Sequence, residues 1–365
     1  MTGFFIFSQS GITVVDSIKS NGIWRSYRLY KPLSYNGTSS YPLVINFHGY
    51  GSNAYQQQYY TNFMAVADTA KFLIVHPQGT SDGSNLYWNA GISTSGANDL
   101  QFVSELIDSL SSHYLIDQNS IYSTGISNGG FMSNYLACNL SNKITAIASV
   151  AGTMFGPWAS SCNPPRPIPV MHVHGTADGT VPYNGASGII LAVDSLMKYW
   201  RIHNNCYATP TFTNLPNLVT SDSCTATRYL WTGGTFGSTN ELYSITGGGH
   251  TWPGATTIIG VTDEDYNASV EIWRFFRKYK LNLLQGIEQL KDLDHTIKVY
   301  PNPTQNVLFI ESDKEIKLKV FDLLGKEIIK ETLSKTIDVT DLPSGIYFLK
   351  LNCEGNYLVK KIVKE

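Results

Sequence analysis

Hydrophobic residues between positions 24 and 252 occur as short, nearly continuous runs that end on Gly, Pro or a polar turn. Six runs share this pattern: YPLVINFHG, KFLIVHPQG, SIYSTGIS, ITAIASVAG, PIPVMHVHG and ELYSITGGG. Unbroken apolar character, rather than alternation, is typical of strands that are buried on both faces. Helical patterns at 98–112, 129–139, 188–203 and 264–280 accompany these runs. The sequence therefore predicts βαβ units around a mostly parallel sheet.

The pattern changes after Leu284 to short strands in which apolar and polar residues alternate. These are IKVYPNP, VLFIES, KLKVFDLLGKEI, SGIYFLKL and YLVKKIVKE. Charge changes at the same place, since 25 of the 81 residues from 285 to 365 are charged, against 29 of the preceding 284. We therefore expect an α/β domain over 11–283, a linker over 284–296 and a small antiparallel β-sandwich over 297–365.

The N-terminal stretch TGFFIFSQSG is apolar and ends in small residues, but no basic segment precedes it. We interpret residues 1–10 as the remnant of a signal peptide, and an ordinary first strand is the alternative. No apolar run approaches the roughly 20 residues that are needed to cross a bilayer, so no membrane span is expected.

The net charge of -2 and the hydrophobic content of 42% are typical of a globular protein without a basic field. Nothing in this composition would attract nucleic acid or an anionic membrane. Small molecules or neutral polymers are the expected partners.

Four of the five cysteines can pair if the protein is exported. Cys138 and Cys162 flank a strand-like apolar run, whereas Cys206 and Cys224 flank a segment rich in Pro, Asn and Thr. Either pair can close a surface loop, and Cys353 would then have no disulfide partner. No C-x-x-C motif or His/Cys cluster is present, so no structural zinc site is expected.

The chemistry centres on Gly125-Ile126-Ser127-Asn128-Gly129, which matches the pattern G-x-S-x-G. A predicted strand precedes the motif and a predicted helix follows it, as a nucleophile elbow requires. Glycines flank such a serine because neighbouring backbone approaches too closely for side chains. A chain rich in Gly and Ser also produces this pentapeptide by chance, so the partners of Ser127 decide the interpretation.

A serine hydroxyl needs a histidine to accept its proton and a carboxylate to orient that histidine. In α/β-hydrolases the chain order is Ser, acid, His, each after a strand. Asp178 follows PVMHVHG and His250 follows ELYSI, so both agree with that order. The other histidines fit this order less well. His172 and His174 lie within a predicted strand, where a buried, hydrogen-bonded role is expected. The remaining candidates lie at the end of a helix (His203), in the linker (His295) or before the serine (His76 and His113).

The oxyanion formed during acyl transfer needs hydrogen-bond donors, which two backbone N–H groups can supply. The strand LVINF ends at His48-Gly49-Tyr50-Gly51, which places the Tyr50 amide beside the reaction centre. The Asn128 amide, directly after the serine, is the second candidate. His48 is expected to brace this loop rather than to react.

Aromatic residues near these motifs are candidates for binding substrate. Trp252 lies two residues after His250, and Trp88 and Asn89 lie on a loop after FLIVHP. Each tryptophan can face the cleft or anchor its loop on the core, and Trp158 is a weaker candidate for the rim.

The motifs FHGYGSNA, YWNAG, GISNGG, RPIPVMHVHGTADGTVPY and GGGHTWPG resemble the exported carbohydrate esterases of family one and the related poly(3-hydroxybutyrate) depolymerases. This resemblance spans residues 24 to about 280 and implies an α/β-hydrolase fold with Ser127, Asp178 and His250 as the triad. It also implies disulfides between Cys138 and Cys162 and between Cys206 and Cys224.

The tail, through VYPNPT, VFDLLGKE and LPSGIYFLKL, resembles the C-terminal sorting domain of the type IX secretion system. That resemblance implies export through the periplasm to the cell surface or the medium, with the type IX machinery as a partner. A carbohydrate-binding or spacer sandwich is the alternative for this domain.

These observations together predict two-step acyl transfer without a metal or organic cofactor. Feruloyl or acetyl esters of plant cell-wall polysaccharide are the expected substrates, and aliphatic or aromatic polyesters are the alternative. A non-catalytic surface-binding protein on a hydrolase scaffold is the competing hypothesis from another class.

Overall fold

The computed structural model describes residues 11–93, 96–282, 297–323, 326–353 and 356–365. The chain divides into two compact units, residues 1–284 and 285–365. The predicted signal-peptide remnant at 1–10, the predicted linker at 284–296 and His295 lie outside the described residues.

Within the described residues, the strands of the first unit are β1 (Ile12–Ser20), β2 (Ile23–Lys31), β3 (Tyr41–Phe47), β4 (Leu73–Pro77), β5 (Thr80–Ser81), β6 (Leu86–Tyr87), β7 (Ile116–Ile126), β8 (Ala146–Val150), β9 (Val170–Gly175), β10 (Thr211–Asn214), β11 (Thr225–Trp231) and β12 (Asn240–Thr246). Ten of them form one sheet in the order β1-β2-β4-β3-β7-β8-β9-β12-β11-β10, and β5 pairs with β6. The six central strands, from β4 to β12, are parallel, whereas the strands at both edges are antiparallel. The carboxyl ends of the parallel strands therefore meet at one edge, where such sheets build their sites.

In the part of the chain that the structure describes, the α-helices that pack on the two faces of this sheet are α1 (Ala54–Thr61), α2 (Phe63–Ala70), α3 (Asp99–His113), α4 (Asn128–Asn139), α5 (Gly156–Ala159), α6 (Val193–His203) and α7 (Ala268–Phe276). Leu106 of α3, Leu136 of α4 and Trp200 of α6 belong to one buried core cluster. Phe63 of α2 and Phe276 of α7 belong to a second cluster. A parallel sheet covered on both faces explains why its strands read as unbroken apolar runs.

Two predicted helices begin later in the structure than the sequence pattern indicates. α6 begins at Val193 rather than at 188, because Ile190 forms isolated bridges with Phe155 and Ala186. α7 begins at Ala268 rather than at 264, where the Asn267 side chain accepts a hydrogen bond from the Val270 N–H at 3.1 Å. Such a cap satisfies an amide that would otherwise lack an intrahelical partner.

The second unit consists of β13 (Lys298–Tyr300), β14 (Val307–Glu311), β15 (Lys317–Phe321), β16 (Glu327–Leu333), β17 (Thr336–Asp338), β18 (Gly345–Cys353) and β19 (Asn356–Lys364). They form two antiparallel sheets, β13-β14-β17 and β16-β15-β18-β19. Leu308, Leu318 and Leu349 belong to a core cluster of their own. The predicted fold class, an α/β unit followed by a small antiparallel β unit, is therefore confirmed. Within the described residues, no helix is both long enough and apolar enough to traverse a membrane.

One of the two expected disulfides is present. Cys138 at the end of α4 is bonded to Cys162, with their Cα atoms 5.1 Å apart. The expected bond between Cys206 and Cys224 is wrong, because both thiols are free and buried, as is that of Cys353.

The physical reason is the strand β11, which lies between the two expected partners. Cys224 directly precedes Thr225, the first residue of β11. Cys206 lies near the other end, since the N–H of the next residue, Tyr207, donates to Thr232 O at 2.8 Å. At about 3.3 Å per residue, the strand separates the cysteines by roughly 25 Å, whereas a disulfide needs Cα atoms about 6 Å apart.

Candidate active site

Ser127 lies on the sharp turn between β7 and α4 and has a φ of 55° and a ψ of -122°. Positive φ is strained for a residue with a side chain, so the surroundings must hold it in place. The Ser127 N–H donates to Val150 O at 2.9 Å, and Ser127 O accepts from Gly130 and Phe131 at 2.8 and 3.0 Å. This turn presents the Ser127 side chain at the carboxyl edge of the sheet.

The glycines around this serine are required by close backbone contacts. A Cβ on Gly125 would lie 2.6 Å from Phe47 O, and a Cβ on Gly129 would also collide with Phe47 O. Gly152 follows β8, the strand that pairs with β7, and a Cβ there would collide with Ser127 O. The structure thus supplies the steric reason for the G-x-S-x-G pattern.

Asp178 and His250 meet at the ends of two neighbouring parallel strands. Asp178 follows β9 and His250 follows β12, and the two strands pair with each other. His250 Nδ1 lies 2.7 Å from Asp178 Oδ2, and Oδ1 of the same carboxylate accepts the Thr180 and Val181 N–H groups at 2.8 Å each. The structure therefore brings together the two side chains that the sequence pattern assigns as acid and base.

The Asp178 carboxylate has no exposed side-chain surface. Burial alone would raise its pKa, but the hydrogen bonds from His174 and His250 outweigh this effect and hold the pKa well below its ordinary range. The ionised carboxylate accepts from Nδ1–H of His250, which leaves Nε2 of His250 free to accept a proton.

His174 is a second imidazole beside this carboxylate. Its Nε2 lies 3.3 Å from Asp178 Oδ2 and 2.8 Å from Val181 O. Both neighbours are acceptors, so Nε2 carries the proton, and Nδ1 accepts from His172 Nε2 at 3.0 Å. Burial and then the adjacent His174 keep the pKa of His172 well below its usual range. The expected buried, hydrogen-bonded role of both histidines is confirmed. The contact between His174 and Asp178 was not expected from the sequence pattern.

Ser127 and His250 line the same cavity, whose volume is about 590 Å³. Much of its remaining wall comes from the segment that contains the predicted oxyanion loop and α1, including Tyr50, Tyr55, Tyr59 and Tyr60. Of these, Tyr50 was expected near the reaction centre, whereas the sequence pattern did not identify Tyr55, Tyr59 and Tyr60 as cavity residues. The sequence does contain a signal for these tyrosines, because the tyrosine-rich segment NAYQQQYYT directly follows the predicted oxyanion loop. A helix that begins at the end of this loop starts close to Ser127.

The predicted oxyanion donors lie on the two sides of the serine. A Cβ on Gly49 would lie 3.4 Å from Ser127 Cβ, so the loop that contains Tyr50 lies beside Ser127. Asn128 is the first residue of α4, where backbone N–H groups have no intrahelical acceptor. The positive end of the α4 dipole adds to the stabilisation of negative charge there.

His48 braces this loop, as predicted. Its Nε2 accepts the Gly79 N–H at 3.0 Å, so Nδ1 carries the proton and donates to Gly49 O at 2.7 Å. Burial lowers the pKa of His48 to about 4, and the nearby Arg25 charge acts in the same direction. The ring is therefore neutral near pH 7 and joins the loop to the segment after β4.

The expected substrate-binding residues do not line the cavity. Trp88 has no exposed surface, and its indole N–H donates to His48 O at 3.0 Å. Trp252 is 1% exposed, and its indole N–H donates to Ser269 Oγ at 3.1 Å. These two predictions are wrong because both rings find core packing and a buried acceptor, which favours the loop-anchor alternative.

Asn89 and Trp158 are also structural. The Asn89 side chain donates to Ser93 O and Ala97 O at 2.8 and 3.1 Å, so the prediction that it binds substrate is wrong. Trp158 is 9% exposed and packs edge-on against Tyr135, which makes it a core residue rather than part of the rim.

The side chain of Asn128 has a role that the sequence did not indicate. Its Oδ1 accepts the Trp88 N–H at 2.6 Å, and its Nδ2 donates to Trp88 O at 3.0 Å. Asn128 thereby holds the 88–89 loop through two hydrogen bonds to the backbone of Trp88. Within the described ranges, the acidic, histidine and cysteine side chains that could together hold a metal ion are those of Asp222, Asp263 and Asp265, and none of them lines the cavity.

A serine on a strained strand-to-helix turn, with an acid and a histidine on later loops at the carboxyl edge of a mostly parallel sheet, is the arrangement of the α/β-hydrolases. The first unit of this chain is therefore an α/β-hydrolase.

Residues 36–208 match the Phospholipase/Carboxylesterase family. Residues 298–365 match the secretion system C-terminal sorting domain, which indicates an extracellular or cell-surface protein. Each match lies within one of the two units.

Similar proteins include a bifunctional acetylxylan esterase/xylanase of Neocallimastix patriciarum, 32% identical over 221 residues, or 60% of this chain and 30% of that protein. Feruloyl esterase B of Piromyces equi is 29% identical over 189 residues, or 49% of this chain and 35% of that protein. The chain thus spans about a third of the length of these relatives. The expected relationship to feruloyl and acetylxylan esterases is confirmed.

A solved structure described as a dipeptidyl aminopeptidase IV, from Bacteroides ovatus, superposes with a TM-score of 0.51 at 13% identity. The superposition covers 75% of this chain and 37% of that one. Similarity at this level of identity supports the shared fold and carries no conclusion about activity.

Proposed function

We propose that this protein is an exported serine esterase that hydrolyses carboxylic esters through an acyl-enzyme, with Ser127 as nucleophile, His250 as base and Asp178 as the orienting acid. The observation that carries the proposal is the 2.7 Å contact between His250 Nδ1 and Asp178 Oδ2 beside a cavity that His250 shares with Ser127. A non-catalytic binding protein has no need of this combination of side chains.

In the first step, Ser127 Oγ attacks the ester carbonyl carbon as His250 Nε2 accepts the hydroxyl proton. The tetrahedral intermediate collapses, the bond to the leaving alcohol breaks, and His250 gives its proton to that alcohol. Water then attacks the acyl-enzyme, His250 again takes a proton, and the carboxylic acid leaves as Ser127 recovers its hydrogen. The ionised Asp178 stabilises the imidazolium in both steps.

The Tyr50 and Asn128 amides are the proposed donors to the oxyanion. Contact between the Gly49 position and Ser127 supports the first donor, and the location of Asn128 at the start of α4 supports the second. Loss of one such donor typically costs about 3 kcal/mol of transition-state stabilisation.

Among esters of plant cell-wall polysaccharide, we propose feruloyl esters ahead of acetyl esters as the substrate. The cavity of about 590 Å³ is far larger than an acetyl group requires, and it is lined by tyrosines. The rings of Tyr55 and Tyr59 have centroids 4.8 Å apart and are both partly exposed, so an aromatic acyl group can pack against them. The names of the similar esterases agree with this substrate class.

The proposed partner of the second unit is the type IX secretion machinery, since residues 298–365 match its sorting domain. The two units have separate core clusters, so the catalytic unit does not draw its core from the tail.

The test compares initial rates of hydrolysis of methyl ferulate, acetylated xylan and a polyhydroxybutyrate film. We expect methyl ferulate to be hydrolysed fastest by the wild type and not measurably by Ser127→Ala, whereas Ser112→Ala, which changes an exposed serine at the end of α3, retains the full rate. Equal near-background rates for wild type and Ser127→Ala would overturn the esterase proposal in favour of a binding protein. Faster hydrolysis of the polyester film would overturn the substrate assignment alone.

A further inference from the structure

Three aspartates meet outside the cavity, where two loops of the first unit come together. Asp222 lies in the loop before β11, and Asp263 and Asp265 lie in the segment between His250 and α7. One oxygen atom from each residue lies within 4.8 Å of the other two. Asp263 has no exposed surface, and the other two are partly buried.

Backbone amides fix the orientation of all three carboxylates. Asp222 and Asp265 each accept two N–H groups, and Asp263 Oδ1 accepts one. The donors lie between 2.6 and 2.9 Å from the oxygens and belong to Leu218, Val219, Cys224, Glu264 and Asp265. Three carboxylates that are held together in this way repel one another unless a positive charge lies between them.

Two oxygens of the cluster are left without any donor. Asp263 Oδ2 and Asp265 Oδ2 are buried and have no hydrogen-bond partner among the residues that the structure describes. No Lys, Arg or His in the same described ranges forms an ion pair with Asp222, Asp263 or Asp265. A buried carboxylate oxygen that lacks a partner is costly, so the arrangement calls for a ligand that supplies positive charge.

The ligand atoms that the three side chains offer are carboxylate oxygens, one from each residue. Hard cations such as calcium and magnesium prefer oxygen donors of this kind, whereas soft metals prefer thiolates.

We propose that Asp222, Asp263 and Asp265 bind a calcium ion that joins the loop before β11 to the segment after His250. Calcium accepts an irregular set of carboxylate and carbonyl oxygens, whereas magnesium demands near-octahedral geometry and keeps most of its water. The ion would not contact the reacting ester, because these side chains do not line the cavity.

The position of the site gives the ion a structural effect on the catalytic base. Gly249 N–H donates to Val261 O at 2.9 Å, and Gly254 N–H donates to Asp263 O at 3.0 Å. The loop that contains His250 is thus hydrogen-bonded on both sides to the segment that contains Asp263. Ile259 of the same segment lines the cavity. A cation at Asp263 would therefore hold both the base and one wall of the cavity in place.

The test uses full-length protein that has been treated with EDTA and dialysed. Calcium chloride binding is measured by calorimetry, and terbium binding by luminescence sensitised by aromatic side chains such as Tyr266. We expect calcium at about 100 times its Kd to raise the Tm by about 5–10 °C. Asp263→Asn should lose this rise, whereas the neighbouring Glu264→Gln, which removes an exposed carboxylate, should keep it.

Asp263→Asn is suited to the test because Asn keeps an oxygen that can accept the Asp265 N–H. In EDTA its Tm should equal or exceed that of the wild type, since the substitution removes buried like-charge repulsion. Absence of calcium binding by the wild type, or an unchanged calcium response in Asp263→Asn, would overturn the proposal. An equal rise in Tm with magnesium chloride would overturn the choice of calcium. These measurements do not depend on ester hydrolysis, so they stand apart from the proposed activity.

Discussion

His174 Nε2 lies 3.3 Å from Asp178 Oδ2, the same oxygen that accepts from His250 Nδ1 at 2.7 Å. The carboxylate that orients the proposed base is thus itself oriented by a second, fully buried imidazole. His174 does not line the cavity, so it is a positioning residue that acts through Asp178.

Replacing His174 should slow catalysis without weakening substrate binding. We expect His174→Leu to lower kcat on methyl ferulate about tenfold, roughly 1.4 kcal/mol, with KM unchanged, because Asp178 loses a donor while the cavity keeps its shape. His174→Gln, whose amide can still donate to Asp178, should recover most of kcat. Equal losses in both variants, or a change confined to KM, would contradict this role.

The close packing at the elbow predicts a severe effect of one added methyl group. Gly129→Ala should lower the free energy of unfolding by about 2 kcal/mol or more, because its Cβ collides with Phe47 O. Gly345→Ala is the control, since a Cβ there meets no atom closer than 4.0 Å. Urea unfolding of both variants gives the comparison, and equal midpoints would show that the elbow tolerates a side chain.

Because the pKa of the buried His48 is lowered, the protein should lose stability in mild acid. Its pKa is about 4 in the folded state and about 6.5 in the unfolded chain, so between these values the unfolded state binds more protons. The contribution of neutral His48 to the free energy of unfolding is therefore fully present above pH 6.5, and about 3 kcal/mol of it is lost as the pH drops to 4.

His48→Gln should remove this part of the pH dependence, whereas His113→Gln, which changes an exposed histidine, should leave it in place. Urea unfolding at several pH values measures both slopes. Parallel slopes for the wild type and His48→Gln would show that His48 does not control acid stability.

Reduction should destabilise the first unit through one disulfide. The bond between Cys138 and Cys162 closes a loop with a sequence separation of 24, so its loss should cost about 3 kcal/mol. Calorimetric scans with and without reductant should therefore differ for the wild type and coincide for the double variant Cys138→Ser and Cys162→Ser. If reductant lowers the Tm of the double variant as well, another cystine must contribute.

Replacing a tyrosine of the cavity wall should weaken the binding of aromatic substrates more than that of small ones. Tyr59→Ala should raise KM for methyl ferulate about five- to tenfold, because a packed aromatic pair contributes roughly 1 kcal/mol. p-Nitrophenyl acetate is the comparison substrate because its acyl group is a small acetyl group, and its KM should change less in Tyr59→Ala. Tyr59→Phe, which keeps the ring, should keep the wild-type ratio of the two KM values. A uniform rise with both substrates would indicate that Tyr59 shapes the entrance rather than the acyl site.

The positions of Ser127, Asp178 and His250 could be predicted because each follows a strand of a parallel sheet. Parallel strands place their carboxyl ends along one edge, so chain order becomes spatial proximity. The fold was readable for a related reason, since strands covered on both faces produce unbroken apolar runs such as YPLVINF.

The errors arose where tertiary packing sets the direction of a side chain. Trp88 and Trp252 lie beside catalytic motifs in sequence, yet both turn inward to buried acceptors, His48 O and Ser269 Oγ. Cys206 and Cys224 look like the two ends of a loop, but β11 extends between them in the fold. Neither the rotamer of a loop tryptophan nor the path of an edge strand is encoded in local pattern.

Helix α1 is only eight residues long, yet it begins beside the Gly49–Gly51 loop and contributes Tyr55, Tyr59 and Tyr60 to the cavity wall. The residues proposed to recognise the acyl group and those proposed to hydrolyse the ester therefore lie in different stretches of the sequence. A library randomised at this one short cassette would explore new ester preferences by directed evolution while Ser127, Asp178 and His250 stay untouched.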